Sequence, residues 1–326
     1  MSDAPSGMAL LAMTLLFLEA HMRYYFAPME GLTDGIYRRL HHAYFGGVDR
    51  YYMPFISPTT HRCLTPREER ELPLADSVPF AAVPQILTKV PEDFLWAVEV
   101  CAERGYDEVN LNVGCPSGTV VAKNKGSGML RDPDSLDRFL EEIYTKANLP
   151  VSVKTRLGME TADEFPAILD IYNRYPIKEL TIHPRVRRQF YDGAVDMGMF
   201  RYAAAHSKNP LCYNGDLTSK EDIQAIADEF PPIEAVMIGR GLIADPGMLT
   251  ATREHTLESF HDALLESYTE AFGGSRNAMF RMKENWSHLQ NRFKGGEKLF
   301  KRLRKTTDLD EYRSITQEIF HTVPLK

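Results

Sequence analysis

The chain has little cysteine, and none of it is arranged to build anything. Cys63, Cys101, Cys115 and Cys212 stand far apart, with no C-x-x-C pairing. That excludes a disulfide framework and a zinc module, and points to reduced thiols in a cytoplasmic protein without a metal. Long apolar runs are lacking too. The stretch GMALLAMTLLFL near the N-terminus is about twelve residues, where a membrane span needs about twenty. No Lys or Arg precedes it, the first charge is Asp3, and no small-x-small cleavage site follows, so the pattern of a secretory signal is missing. Residues 1–21 are read as an extension of uncertain role: a short extra helix, or an upstream start ahead of Met22. Positive charge is also short, with 38 Lys and Arg against 45 Asp and Glu. A net charge of −7 excludes nonspecific coating by nucleic acid over the whole surface.

What is present is ordinary for a globular protein: 44% hydrophobic and 25% charged residues in a chain of 326, enough for a large barrel and an appendage. Eight strand-like runs recur: YYFAPM (24–29), YYMPFI (51–56), AAVPQIL (81–87), EVNLNVG (108–114), PVSVKTRLG (150–158), ELTIHPR (179–185), PLCYNGDL (210–217) and AVMIGRGL (235–242). Apolar runs at such spacing, separated by helical patterns, predict parallel strands with helical crossovers. Residues 134–147 place Leu136, Phe139, Leu140 and Ile143 on one helical face, and Asp163 and Ser219 stand where helix caps are needed. Eight such units over residues 22–250 predict an α/β fold, a (β/α)8 barrel.

From residue 251 to 326 only helical spacing remains, with Leu257, Phe260, Leu264 and Tyr268 in one stripe and Gly273-Gly274 and Gly295-Gly296 as breaks. This predicts a small C-terminal helical bundle. Residues 276–305 hold ten Lys and Arg against two acids, a local excess of +8 in an acidic protein, with Trp286 and Phe293 interleaved. A solvated helix face is the ordinary meaning of such charge; here its sign opposes the whole, which favours a polyanion-binding face.

Barrel enzymes carry their chemistry at the C-terminal ends of strands. The first strand ends in Pro28 and Met29, the third in Gln85, the fourth in Asn112 and Cys115. The fifth carries Lys154, the sixth His183 and Arg185, the seventh Asn214, Gly215 and Asp216, the eighth Gly239, Arg240 and Gly241. Amides suit the edge of a planar heterocycle. Glycines, a cation and the helix after the last strand suit a phosphate. A phosphorylated flavin fits that set, with Lys154 near its electron-rich end and Arg240 at its phosphate. Cys115 follows Gly114 and precedes Pro116, a turn that cannot continue a strand.

The stretches APMEGLTD, LNVGCPSG, KNKGSGML, VSVKTRLG, IHPRVRRQFYDG, YNGDLTS and MIGRGLIADP resemble, in order, those of the tRNA-dihydrouridine synthases. The family often has Gly-Arg-Thr after the sixth-strand His, where this chain has Pro184-Arg185-Val186. The resemblance implies FMN as cofactor, NADPH as reductant, and reduction of the 5,6 double bond of a tRNA uridine. Hydride from flavin N5 would reach C6 of the uracil, and Cys115 would protonate C5; a free thiol with a pKa of roughly 8.5 keeps its proton at neutral pH. It further implies flavin contacts from Pro28, Met29, Gln85, Lys154, His183, Asn214, Gly215, Asp216, Gly239 and Arg240. Contacts to the uracil or its ribose phosphate fall to Asn112 and Arg185, and RNA phosphate to Lys123. The helical tail would bind tRNA, and the protein is expected to be a monomer. Three alternatives stay open on residues alone: a flavin barrel acting on dihydroorotate or an enoate, a Schiff-base aldolase using Lys154, and a non-catalytic RNA-binding scaffold.

Overall fold

The computed structural model describes residues 22–250 and 254–326; the apolar N-terminal stretch lies outside the described residues. Nine strand segments form one parallel sheet: β1 (Arg23–Phe26), β2 (Arg50–Tyr52), β3 (Ala82–Val83), β4 (Gln85–Ile86), β5 (Val109–Val113), β6 (Val151–Arg156), β7 (Leu180–His183), β8 (Leu211–Tyr213) and β9 (Ala235–Ile238). Their order is β3-β2-β1-β9-β8-β7-β6-β5-β4. The two ends of that order adjoin in the chain, for β3 and β4 are one barrel strand broken at Pro84, which has no N–H to give a ladder. The Val83 carbonyl serves Met53 on one side, and the Pro84 carbonyl serves Asn110 on the other. A bridge between Ile56 and Ile86 completes the closure. The expected (β/α)8 barrel is therefore what forms, with its third strand in two pieces.

Strands buried on both faces explain the near-continuous apolar runs. Inside the barrel Tyr25, Ala27, Tyr52, Val83, Cys212, Ala235 and Met237 pack together. Outside, Val109, Leu111, Val113, Val153 and Ile182 meet the helices in the main core. Ser219 caps its helix through the Asp222 amide. Asp163 does not cap: Thr161 and Glu164 form the capping box there, because Glu164 reaches back three residues to the Thr161 amide.

The C-terminal helices Glu254–Ala271, Ser275–Leu289, Glu297–Lys305 and Leu309–Thr322 pack on the barrel. Phe260 sits between Tyr37, Tyr44 and Phe45, with ring centroids 5.4, 5.8 and 5.1 Å away. Asp34, which caps the helix Gly35–Tyr44, accepts a hydrogen bond from the Tyr268 hydroxyl at 3.1 Å. His41 on that helix bridges the Tyr51 hydroxyl (2.8 Å) and the Pro246 carbonyl (2.9 Å). Trp286 and Phe293, read from the sequence as aromatics among basic residues, are 3% and 2% exposed. They pack with Phe300 and Phe320 and form the bundle's own core.

Candidate active site

A cavity of about 1030 Å³ opens at the C-terminal ends of the strands. Its wall takes Pro28 and Met29 after β1, Gln85 on β4, Asn112 and Cys115 from β5 and its turn, Lys154 on β6 and His183 on β7. Asn214, Gly215 and Asp216 after β8, and Gly239 and Arg240 after β9, complete the barrel's share. The tail closes one side with His288, Asn291, Arg292 and Lys326.

The Cys115 turn is built by its neighbours. Asn112 turns its Oδ1 back to accept from the amides of Gly114 (3.1 Å) and Cys115 (2.9 Å), a local bond that ends a strand. From the other side Ser127 donates twice to the Cys115 carbonyl, through its amide at 3.1 Å and its hydroxyl at 2.8 Å. Gly126, at φ +57°, lies so close that a Cβ there would stand 2.9 Å from that carbonyl oxygen. The glycine-rich KGSG stretch is thus the back of the cysteine turn. Burial raises the Cys115 pKa; the Ser117 amide, Arg156 and Lys154 pull against it.

Lys154 is half-buried in the wall and its Nζ has no hydrogen-bond or ion-pair partner among the described residues. Burial lowers its pKa to about 8, aided by repulsion from Arg156. His183 is pushed far below its ordinary value, first by burial and then by Arg156, Lys154, Arg185 and Arg240. Arg185 Nη1 donates to His183 Nε2 at 3.0 Å, so the neutral ring carries its proton on Nδ1. Asn214 donates Nδ2 to the Met237 carbonyl at 2.7 Å, which leaves its carbonyl oxygen for the cavity. Asp216 binds Arg185 and, at 2.9 Å, Arg240. Gly241 admits no other residue, since a Cβ would fall 2.1 Å from the Leu217 carbonyl oxygen.

Arg185 and Lys123 do not line the cavity. Arg185 is 1% exposed and outside the cavity wall; its guanidinium is spent on His183, the Gly193 carbonyl and Asp216. Lys123 is exposed on the turn after Cys115 and also outside the wall. Conversely, Arg156 and Tyr191 line the cavity without having been singled out as site residues. Arg156 sits two residues after Lys154 on the same strand face, which is the signal for it. Its Nε donates to the Gly114 carbonyl at 3.0 Å, and burial lowers its pKa to about 10. Tyr191 lies between two guanidiniums, Arg240 at 4.8 Å and Arg156 at 5.4 Å from its ring centroid. Among the described residues no group of His, Cys, Asp and Glu is set to hold a metal ion, and no helix is long and apolar enough to cross a membrane.

A closed parallel barrel with thiol, amides and cations gathered at its strand ends defines a barrel enzyme of the kind that works at that face. The family model described as Dihydrouridine synthase (Dus) matches residues 25–323. The chain belongs to that family. It is 30% identical over 246 residues to the probable tRNA-dihydrouridine synthase of Rhizobium leguminosarum bv. phaseoli, covering 74% of this chain and 76% of that one. With tRNA-dihydrouridine synthase B of Pasteurella multocida it shares 29% over 225 residues, 69% of this chain and 67% of that one. Among solved structures, a morphinone reductase variant in complex with tetrahydroNAD superposes with a TM-score of 0.51 at 12% identity, covering 69% of this chain and 85% of that one. Morphinone reductase itself gives 0.50 at 13% identity, covering 73% and 88%. That likeness is one of fold.

Proposed function

We propose that this protein reduces a uridine of tRNA to dihydrouridine, with FMN as resident cofactor and NADPH as reductant. The observation that carries the reading is the meeting, in one cavity, of a thiol that keeps its proton and an unpartnered lysine, Cys115 and Lys154, in a chain of the dihydrouridine synthase family.

The residues present suit a phosphorylated flavin. Lys154 is a cation without a counter-ion. Asn214 has a carbonyl oxygen to spare, and the Gln85 amide stands on the same wall. Gly239 and Arg240 offer a small backbone and a guanidinium for a phosphate, and Asp216 holds Arg240 in place. When bound, the flavin supplies two-electron reduction between a nicotinamide and the substrate. The chain's own residues do the rest. Cys115 holds the proton that C5 of the uracil needs. Asn112 fixes the turn that carries it, and Lys154, Arg156 and Arg240 give the cavity a positive field that favours anionic ligands. His183, neutral, adds a ring that does not add to that charge.

A base inside folded tRNA must leave its stack to reach such a cavity, at a cost of a few kcal/mol. Phosphate contacts from the basic tail would offset it; Lys294, Lys298, Lys301 and Lys305 are exposed there. Trp286 and Phe293 are buried, so neither is free to stack on a base; the exposed aromatic of the basic stretch is Phe280, flanked by Arg276 and Lys283. In this reading residues 22–250 are the catalytic part and 251–326 the tRNA-binding part of a cytoplasmic monomer. The test is direct: purified protein should be yellow, release FMN on denaturation, and form dihydrouridine in unmodified tRNA with NADPH. A colourless protein that takes up no FMN and leaves tRNA unchanged overturns the proposal.

A further inference from the structure

We propose that Glu108 and Ser152, at the base of the barrel, are positioning residues that set the orientation of the Cys115 turn and of the Gln85 amide at its mouth. The inference rests on the function proposed above and concerns how that site is held. Its basis is a stripe on β5: Glu108, Asn110 and Asn112 alternate with Val109, Leu111 and Val113, so the polar members face into the barrel. A barrel interior is ordinarily filled by branched apolar side chains; here these residues are 0%, 0% and 7% exposed.

They form one chain of hydrogen bonds with their neighbours on β4 and β6. The Glu108 carboxylate, held on Oε2 by Arg50 and by Lys178 at 2.8 Å, accepts on Oε1 a hydrogen bond from the Ser152 hydroxyl at 2.6 Å. Ser152 Oγ, having donated, accepts from Asn110 Nδ2 at 2.9 Å. Asn110 Oδ1 then accepts from Gln85 Nε2 at 2.8 Å, and Gln85 Oε1 accepts from Asn112 Nδ2 at 2.7 Å. Asn112 is left with Oδ1 facing the amides of Gly114 and Cys115.

The direction of the chain is fixed alike at its two ends, for the Gly114 and Cys115 amides can only donate to Asn112 and the Glu108 carboxylate can only accept. The serine must therefore donate to Glu108. Every later amide then has one orientation that matches donor to acceptor, and flipping any of them sets N–H against N–H in a dry interior, where an unmade bond is costly. Glu108 and Ser152 thus complete from below the one amide orientation that the Cys115 turn accepts from above. That orientation leaves Gln85 presenting to the cavity only the second hydrogen of Nε2 and the second lone pair of Oε1.

Ser152→Ala removes the link while leaving the Glu108 ion pairs in place. In FMN-loaded, reduced enzyme it should slow single-turnover formation of dihydrouridine about tenfold at unchanged tRNA affinity. It should also move the pH midpoint of Cys115 alkylation by iodoacetamide, read by peptide mass spectrometry, with exposed Cys63 as the internal standard. In an Asn112→Ala background, where the last link is already gone, adding Ser152→Ala should change neither quantity. Should Ser152→Ala fail to fold, Ser152→Cys keeps the volume, weakens both bonds and should give the same two shifts at smaller size. A lowered Tm with native rate and native alkylation profile overturns the proposal, as does a double variant whose losses multiply. A native enzyme that forms no dihydrouridine faults the assigned function instead, and the alkylation profiles still decide the relay.

Discussion

In the proposed reaction Cys115 is the proton donor. Burial keeps its thiol protonated beyond the ordinary range, so turnover should hold through neutral pH and fall only in alkali, as the donor loses its proton. Cys115→Ala should retain bound flavin and lower dihydrouridine formation roughly 100-fold or more, the scale of a lost general acid; a variant with native turnover removes the residue from that role. Lys154 titrates at about 8. Below that pH it is a cation facing the cavity and above it neutral, so FMN affinity should decline as pH rises past 8. Lys154→Ala should weaken FMN about tenfold or more at pH 7 and flatten that decline, which a fluorescence titration reads. Both residues were legible in the sequence, because a turn-forming Gly-Cys-Pro and a strand lysine stand at strand ends. Arg185 was legible as a strand-end cation, but nothing local shows that Asp216, thirty-one residues on, would claim it. The stripe Glu108, Asn110 and Asn112 looked like routine alternation, since only barrel closure brings Ser152 and Gln85 against it.

At the scale of elements, the spacing of apolar runs was enough to order the strands, and Pro84 explains the one that breaks. The helix Gly35–Tyr44 carries a test of how a buried polar group ties the first barrel helix to the second strand and to the loop after the last one. Burial drops the pKa of His41 to about 3, against roughly 6.5 in an unfolded chain. The unfolded chain takes up a proton below 6.5 and the native ring does not, so its contribution is complete above 6.5 and drains away as pH falls toward 3. By pH 5 the loss is about 2 kcal/mol. In His41→Gln, which has no such group to protonate, the urea midpoint should drop less between pH 7 and pH 5 than in the native protein. Equal drops would show that the ring does not carry that share.

Across the whole molecule, charge is uneven: the chain is acidic overall, and residues 276–305 of the tail carry a local excess of +8 between two acidic helices. Several tail cations serve the fold itself. Arg302 lies 3.9 Å from Glu311 and 3.7 Å from Glu318, Arg304 binds Gln290 and Lys283 binds the Thr306 carbonyl. Lys298, Lys301 and Lys305 have no such side-chain partner among the described residues. Changing these three to Gln should weaken tRNA binding and reduce the slope of log affinity against log salt by roughly 0.7 to 0.9 for each phosphate no longer neutralised; an unchanged slope would place the RNA elsewhere. The sequence carried the sign of this surface but not its division of labour, since which lysines stay unpaired depends on how helices far apart in the chain meet.

Phe260, seated among Tyr37, Tyr44 and Phe45, means that the tail seals aromatic surface on the first barrel helix. An expression clone stopped after residue 250 would present those rings to water, and inclusion bodies are the outcome to expect from it. Anyone wanting a minimal reductase should leave the inner helix of the tail untouched.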